Sequence, residues 1–258
     1  MWDKEKILQR QKIVVEWLRE KNAQAGTKGL VFGISGGVDS AVVAGLCKKA
    51  CPDNSLGVIM PCHSNPADRE DALLVAETLG LEVIEIDLGE AQSLIFDKVE
   101  KALAAKGCYE QNLRQMSQGN LKARLRMATL YTVANLKNYL VVGTDNAAES
   151  YVGYFTKYGD GGADLLPIAS LTKTEVRLWA KVLGLPEKIV SRTPTAGLWE
   201  GQTDEQEMGL SYELLDRYLL GEKIPAEVAA KIEKLHAGSE HKRQLPYTIE
   251  LPKLERLD

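Results

Sequence analysis

Residues 33–40, Gly-Ile-Ser-Gly-Gly-Val-Asp-Ser, set two hydroxyls, two adjacent glycines and a carboxylate between an apolar run and the next apolar stretch. Gly36 and Gly37 let the backbone approach an anion closely and turn its N–H groups towards it. Residues 41–47 read as a helix, whose first turn adds unpaired N–H groups and the positive end of its dipole. Ser35 and Ser40 can donate hydroxyl hydrogen bonds, and Asp39 can hold a divalent cation against phosphate oxygens. The chemistry is phosphate binding. No P-loop lysine is present, which excludes a Walker A site. The plain alternative, a small-residue turn between strand and helix, leaves Ser35, Asp39 and Ser40 idle.

Further residues could join this chemistry. In Gly143-Thr144-Asp145-Asn146-Ala147-Ala148-Glu149, Glu149 can act as a second carboxylate beside Asp39 around Mg²⁺. The same residues also read as a helix-opening turn, with Thr144 or Asp145 as N-cap and Glu149 as a first-turn acid. Residues 153–164 carry four glycines, two tyrosines, Phe155 and alternating charges, a composition suited to a mobile lid with Lys157 as its cation. Lys122 and Arg126 share one helix face and Arg124 points elsewhere; they are either a solvated basic face or contacts for an anion. Lys173, at a helix start, is equally open. His241-Lys242-Arg243 is too short a basic run to indicate nucleic-acid binding. Cys47 and Cys51, four apart on a helix, read as buried or partly exposed thiols, since only three histidines and no Cys-x-x-Cys pair accompany them.

The elements that must position these groups alternate in type. A helix over 4–21 precedes a strand ending at Ile34. A strand over 56–60, a helix from Pro66 to Leu79, a strand over 81–87, helices over 90–106 and 120–136, and a strand over 139–143 follow. A long loop leads to a helix over 172–183 closed by Gly184. Residues 195–203 are irregular, and helices over 204–220 and 226–237 precede a polar tail. This order predicts an α/β fold, an open and mostly parallel sheet with helices on both faces, in one domain spanning 1–258. Ligands of such sheets lie beyond the carboxyl ends of the strands, so 35–40, 61–64 and 144–150 should border one crevice.

Bulk properties fit a cytoplasmic enzyme. The 258 residues, 45% of them hydrophobic, suffice for one large core. A net charge of −4 argues against a standing nucleic-acid surface. No apolar run reaches membrane-spanning length, and residues 1–5 open an amphipathic helix rather than a signal peptide.

Ser-Gly-Gly-x-Asp-Ser resembles the loop of the ATP pyrophosphatases, which cleave ATP between the α- and β-phosphates. Taken with KARLRM, GTDNAAE, FTKYGDGGADLLPI, SLTK, RTPTAGLW and EHKRQLP in this order, the chain is similar to the ammonia-dependent NAD⁺ synthetases nearly end to end. The resemblance implies the adenine nucleotide α-hydrolase-like fold, a Rossmann-like sandwich. It also implies a homodimer, with the dinucleotide site partly across the subunit interface. Gly33, Ile34, Ser35, Gly36, Gly37, Val38, Asp39 and Ser40 would bind the ATP phosphates, and Thr144, Lys173 and Thr195 would also contact ATP. Asp39 and Glu149 would be the Mg²⁺ ligands. Arg124, Lys157, Asp164, His241 and Lys242 would contact deamido-NAD. Asp39, Lys157, Lys173 and Asp160 are the expected catalytic groups, with Asp160 or Asp164 taking the proton from ammonium. The chain departs from some members at Ile59-Met60, where they carry an arginine before the proline.

The implied reaction consumes ATP, deamido-NAD and ammonia and yields NAD⁺, AMP and pyrophosphate through an acyl-adenylate. A chain of this length leaves no room for a glutaminase module, so free ammonia is the expected donor. Two rival readings follow from the loop alone: another ATP pyrophosphatase, amidating or tRNA-modifying, and a nucleotide sensor without turnover. A tRNA enzyme calls for a basic domain or paired zinc or redox cysteines, which this chain lacks. A sensor needs neither a second carboxylate nor a water-excluding cover.

Overall fold

Leu30, Val31 and Phe32 are fully buried and alternate between two apolar layers. Leu30 and Phe32 pack into one core cluster and Val31 into another, as the two-residue period of a strand covered on both faces requires. The computed structural model describes residues 3–199 and 201–251. Strands β1 (Gly29–Gly33), β2 (Ser55–Ile59), β3 (Glu82–Glu85) and β4 (Tyr139–Val142) are all parallel, in the order β3-β2-β1-β4. Val31 pairs with Leu56 on one side and with Val141 on the other. The chain thus builds outward from β1 through β2 to β3, then crosses back to place β4 at β1's free edge. The carboxyl ends of β1 and β4 therefore flank the point where the strand order reverses.

Helices α1 (Lys4–Gln24), α2 (Val38–Ala50), α3 (Pro66–Leu79), α7 (Lys173–Val182) and α8 (Glu187–Val190) contribute Leu18, Leu46, Val75, Trp179 and Ile189 to the first layer. Helices α4 (Gly89–Ala105) and α5 (Arg114–Lys137) flank the other face, where Val133 and Ala134 pack against Val31, Val58 and Val141. A third cluster lies among α6 (Ala147–Val152), α9 (Asp204–Met208), α10 (Tyr212–Leu219) and α11 (Ala226–Gly238), followed by α12 (Glu240–Arg243). No helix among the described residues is long and apolar enough to cross a membrane.

The α/β architecture and the parallel sheet follow the predicted order, and the differences have local causes. Helix α5 begins at Arg114, six residues before the expected start, continuing directly from a 3-10 turn at Gln111–Leu113. The expected long loop after β4 contains α6: Asn146 caps it, and Glu149 closes a capping box on the Asn146 N–H. The expected helix over 204–220 is two helices. Gly209 ends α9 in the left-handed conformation (φ 61°), and the Ser211 hydroxyl restarts the chain as the α10 N-cap.

Candidate active site

A cleft of about 490 Å³ opens at the carboxyl ends of the strands. Residues 33–35 and 37–40 line it, with Pro61 and Ser64 after β2 and Thr144, Asp145 and Glu149 after β4. The crevice expected from topology is thereby assembled. Gly37 caps α2 without a side-chain hydrogen bond, leaving the first N–H groups of this helix free to face an anion. The two serines brace the turn: Ser35 Oγ lies 3.0 Å from Ser40 Oγ, and Ser40 Oγ donates to the Gly37 carbonyl at 3.0 Å. Gly36 is absent from the cleft wall. It has φ 78°, and a Cβ there would meet Asp71 Cβ at 2.7 Å and the Asp68 carbonyl at 2.8 Å. Arg192 locks this outer side by donating to the Gly36 carbonyl at 3.3 Å and to Asp71 at 2.9 Å, and by pairing with Asp68.

Lys173 joins the two expected metal carboxylates. Its Nζ lies 2.5 Å from Asp39 Oδ2 and 3.1 Å from Glu149 Oε1, with a side chain only 3% exposed. Burial alone would favour the neutral amine, but the two carboxylates overcome it and raise the Lys173 pKa above its ordinary value. Glu149 is pushed up to about 7: burial and the Asp39 charge raise it, and Lys173 only partly offsets them. The capping reading of Glu149 holds, with Asn146 rather than Thr144 or Asp145 as the N-cap. Oε2 accepts the Asn146 N–H of the capping box at 3.2 Å, while Oε1 faces Lys173. The Asn146 side chain also donates to Asp39 at 2.8 Å.

Thr144, Thr195 and Asp160 line the same cleft. Asp160 accepts the Thr156 N–H at 2.9 Å, and burial raises its pKa despite that bond. Asp164 does not reach the cleft wall: its oxygens accept the Tyr131 hydroxyl at 3.0 Å and the Val141 N–H at 2.8 Å, fastening the chain to β4. Arg124, Lys157 and His241 meet outside the cleft wall, Arg124 donating to the Lys157 carbonyl at 3.3 Å and Lys157 to the His241 carbonyl. Lys242 is half-buried and donates to the Gly153 and Phe155 carbonyls at 2.8 Å each.

Two sequence readings change. The 153–164 segment lies packed on α5 rather than standing free. A Cβ at Gly159 would meet Ala123 Cβ at 2.9 Å, so that glycine serves close approach. Thr156 also donates to Asn120 on α5 at 2.8 Å. Lys122 and Arg126 do not form a solvated basic face. Lys122 is buried and donates to the Leu198 carbonyl at 2.8 Å; Arg126 donates to the Met60 carbonyl at 3.2 Å and Ser64 Oγ at 3.0 Å. Arg126 therefore brings a guanidinium from α5 to the end of β2, beside the position where Ile59-Met60 lacks an arginine.

Tyr212 and Asp204 belong to the site although no motif marks them, and Asp145, within GTDNAAE, belongs to it without having been named as a site residue. The Tyr212 hydroxyl lies 2.9 Å from Glu149 Oε1 and 2.8 Å from Asp204 Oδ2. Asp145, 6% exposed, lines the cleft, and burial together with Asp160, Glu149 and Asp39 raises its pKa well above the usual range. Only a pairing of distant segments brings Tyr212 and Asp204 here, so the local sequence carries no signal for them.

The NAD synthase family model matches residues 10–246. The NH(3)-dependent NAD(+) synthetase of Alkaliphilus oremlandii (strain OhILAs) is 59% identical over 233 residues, covering 90% of this chain and 93% of that protein. Among solved structures, NMN synthetase from Francisella tularensis aligns with TM-score 0.87 at 37% identity, covering 97% of this chain and all of that one. The NH3-dependent NAD synthetase from Campylobacter jejuni, in complex with the nitrate ion, aligns with TM-score 0.76 at 32% identity, also over 97% of this chain.

Proposed function

The chain belongs to the NAD synthase family, and from that membership we propose that it amidates the nicotinate carboxylate of deamido-NAD with ammonia, using ATP. The observation that carries this reading is the Asp39–Lys173–Glu149 cluster beside an open helix N-terminus at the sheet's reversal point. A carboxylate is a poor electrophile, because ammonia would have to expel oxide. The nicotinate carboxylate oxygen attacks the α-phosphorus, the bond to the bridging oxygen breaks, and pyrophosphate leaves. Ammonia then attacks the acyl carbon and AMP departs, leaving the amide.

The cleft must bring two anions into contact, so cations and N–H groups have to offset their repulsion. Residues 33–35 and 37–40 and Lys173 serve the triphosphate, with Gly36 shaping the turn from its outer side and Thr144 and Thr195 at the edge. Asp39 and Glu149 fit a magnesium site, since their oxygens already converge on one cation, the Lys173 ammonium. Asp39 and Glu149 would hold the ion, which would supply charge neutralisation at the pyrophosphate end of the cleft. Asp160 is the better placed of the two acids named for taking the ammonium proton, because it lines the cleft while Asp164 is engaged by Tyr131 and Val141. Arg124, Lys157, His241 and Lys242 form a basic group suited to the far end of the dinucleotide.

Purified protein given Mg-ATP, deamido-NAD and ammonium should form NAD⁺, AMP and pyrophosphate in equal amounts by mass spectrometry. Glutamine in place of ammonium should give none. A parallel arm offers the mononucleotide acid, because one structural neighbour is an NMN synthetase. Faster turnover of the mononucleotide would move the substrate assignment to it, and absence of substrate-dependent AMP in both arms would overturn the reading.

A homodimer is supported by α4, where Ile95, Val99 and Leu103 recur every fourth residue and are 40%, 50% and 40% exposed. Light scattering at low micromolar concentration should return twice the chain mass of 28.4 kDa. Val99→Glu should return the chain mass itself; a wild-type monomer would remove the dimer from the proposal.

A further inference from the structure

Lys173 stands in an electrostatically unfavourable place. It is the first residue of α7, where the helix dipole is positive, and it is almost wholly buried. In its own helix, Glu175 is the first-turn acid, and the Thr172–Glu175 capping box satisfies the Thr172 and Glu175 N–H groups. The Lys173 and Thr174 N–H groups are met from α10. Asp216, 4% exposed, accepts the Lys173 N–H at 3.0 Å and the Thr174 N–H at 2.8 Å, closing the positive helix end with a carboxylate. Tyr212, one turn earlier on the same helix face, lies beneath the other end of the side chain, its ring centroid 4.6 Å from Lys173 Nζ.

The Tyr212 hydroxyl has one hydrogen and two acceptors, Glu149 Oε1 and Asp204 Oδ2, at nearly equal distance. Asp204 is 4% exposed, and its second oxygen, Oδ1, is buried without a hydrogen-bond partner among the described residues. The oxygen that Tyr212 faces is the other one, Oδ2, at 2.8 Å, and it is already in place to accept the hydroxyl alone. The site already holds Asp39, Glu149 and Lys173 in contact, so a hydroxyl that can leave Glu149 for Asp204 frees Glu149 Oε1 without leaving the tyrosine unpaired.

We propose that Tyr212 and Asp216 are positioning residues that act through Lys173: Asp216 fixes where its backbone begins, and Tyr212 fixes its ammonium and hands its own hydroxyl hydrogen from Glu149 to Asp204 when Glu149 takes a cation. This rests on the reading that Lys173 serves the ATP step. The helix α10 is then the support that aims the cation of α7 into the cleft. Its own seat is firm, with a Ser211 cap and Leu215 fully buried.

The test is a double-mutant cycle on dinucleotide-dependent pyrophosphate release. Tyr212→Phe keeps the ring and should lower kcat about tenfold, as expected for one lost hydrogen bond to a charged group, with KM for ATP little changed. In a Lys173→Met background the same substitution should change the rate less than about twofold, because its route of action is gone. Asp216→Asn should show the same coupling, and thermal melts of each variant separate positioning from loss of fold. An equal loss in both backgrounds would overturn the proposal. A second readout needs no turnover: proton exchange of the Lys173 ammonium, followed by NMR in nitrogen-labelled protein, should quicken in Tyr212→Leu, which removes the ring beneath it, and unchanged exchange would count against positioning. Inactive wild type with quickened exchange would defeat the ATP reading and leave the positioning role standing.

Discussion

Lys173→Met should slow dinucleotide-dependent pyrophosphate release by about 10²–10³-fold, the cost of removing one preorganised group that stabilises charge in a closed site. The substitution keeps the length and most of the volume of the side chain and removes only the charge and the donors. Lys173 is the cation that contacts both Asp39 and Glu149, so on the proposed reading the transferring phosphates would lose their fixed positive partner at the cleft floor. Stability falls as well. Breaking a buried ion pair by deleting one partner costs about 3–5 kcal/mol. Glu149, already pushed up to about 7, limits that loss by taking a proton. The melting temperature of the variant should therefore recover as pH is lowered below 7, while its rate does not. Lys173→Arg should restore stability more than rate, since a planar fork cannot place a single point charge between the two acids. A Lys173→Met enzyme with the wild-type rate would remove this residue from the mechanism.

The sheet could be read ahead of the structure because apolar runs, turn residues and helix caps are local signals, and topology rules then confine the strand order. The loop proposed to bind phosphate was equally accessible: Ser35, Gly37, Asp39 and Ser40 fall within six residues, line the cleft, and each has a chemical reason to be there. Glu149 was ambiguous between metal ligand and capping acid because its two oxygens have separate partners, one closing the capping box and the other facing Lys173. The family resemblance singled out Lys173, whereas its pairing with Asp39, 134 residues away, needs three dimensions. Tyr212 and Asp216 lay beyond sequence reading for the same reason. On a helical wheel they belong to an amphipathic face, and only the packing of α10 on α7 turns that face into a support for a lysine. The glycines of 153–164 misled in the opposite direction. Composition cannot separate a glycine needed for motion from one needed for contact, and Gly159 is of the second kind.

The nucleotide-free protein, in chelator, should lose stability as pH rises from about 4.5 to about 7. Glu149 carries the sign. Its folded pKa of about 7 lies above the ordinary 4.5, so the stabilisation it contributes is complete below 4.5 and is lost as pH rises through 7. A shift of this size corresponds to about 3 kcal/mol. Asp145, Asp160 and Asp204 are raised by burial and act in the same direction. Lys173, raised above its ordinary value near 10.5, titrates outside the window and contributes no slope there. The lowered acids Glu85, Glu100 and Glu240 lose their stabilisation only as pH falls below their ordinary 4.5, so they do not mask the effect. Denaturant melts of wild type and Glu149→Gln across pH 4.5–8 isolate the contribution of this one residue. The glutamine variant should show a shallower slope and be more stable than wild type at pH 8, where the wild-type site must hold Asp39 and Glu149 ionised around one lysine. It should also lose activity, because the amide cannot replace a carboxylate toward a cation. Saturating Mg-ATP should flatten the wild-type slope and leave that of Glu149→Gln nearly unchanged. Identical slopes for the two proteins without nucleotide would show that the excess of acid over base at the cleft floor is not centred on Glu149. The assignment of that residue to the cation would then fall with it. Equal slopes flattened by nucleotide in both proteins would place the titrating charge on Asp145, Asp160 or Asp204 instead.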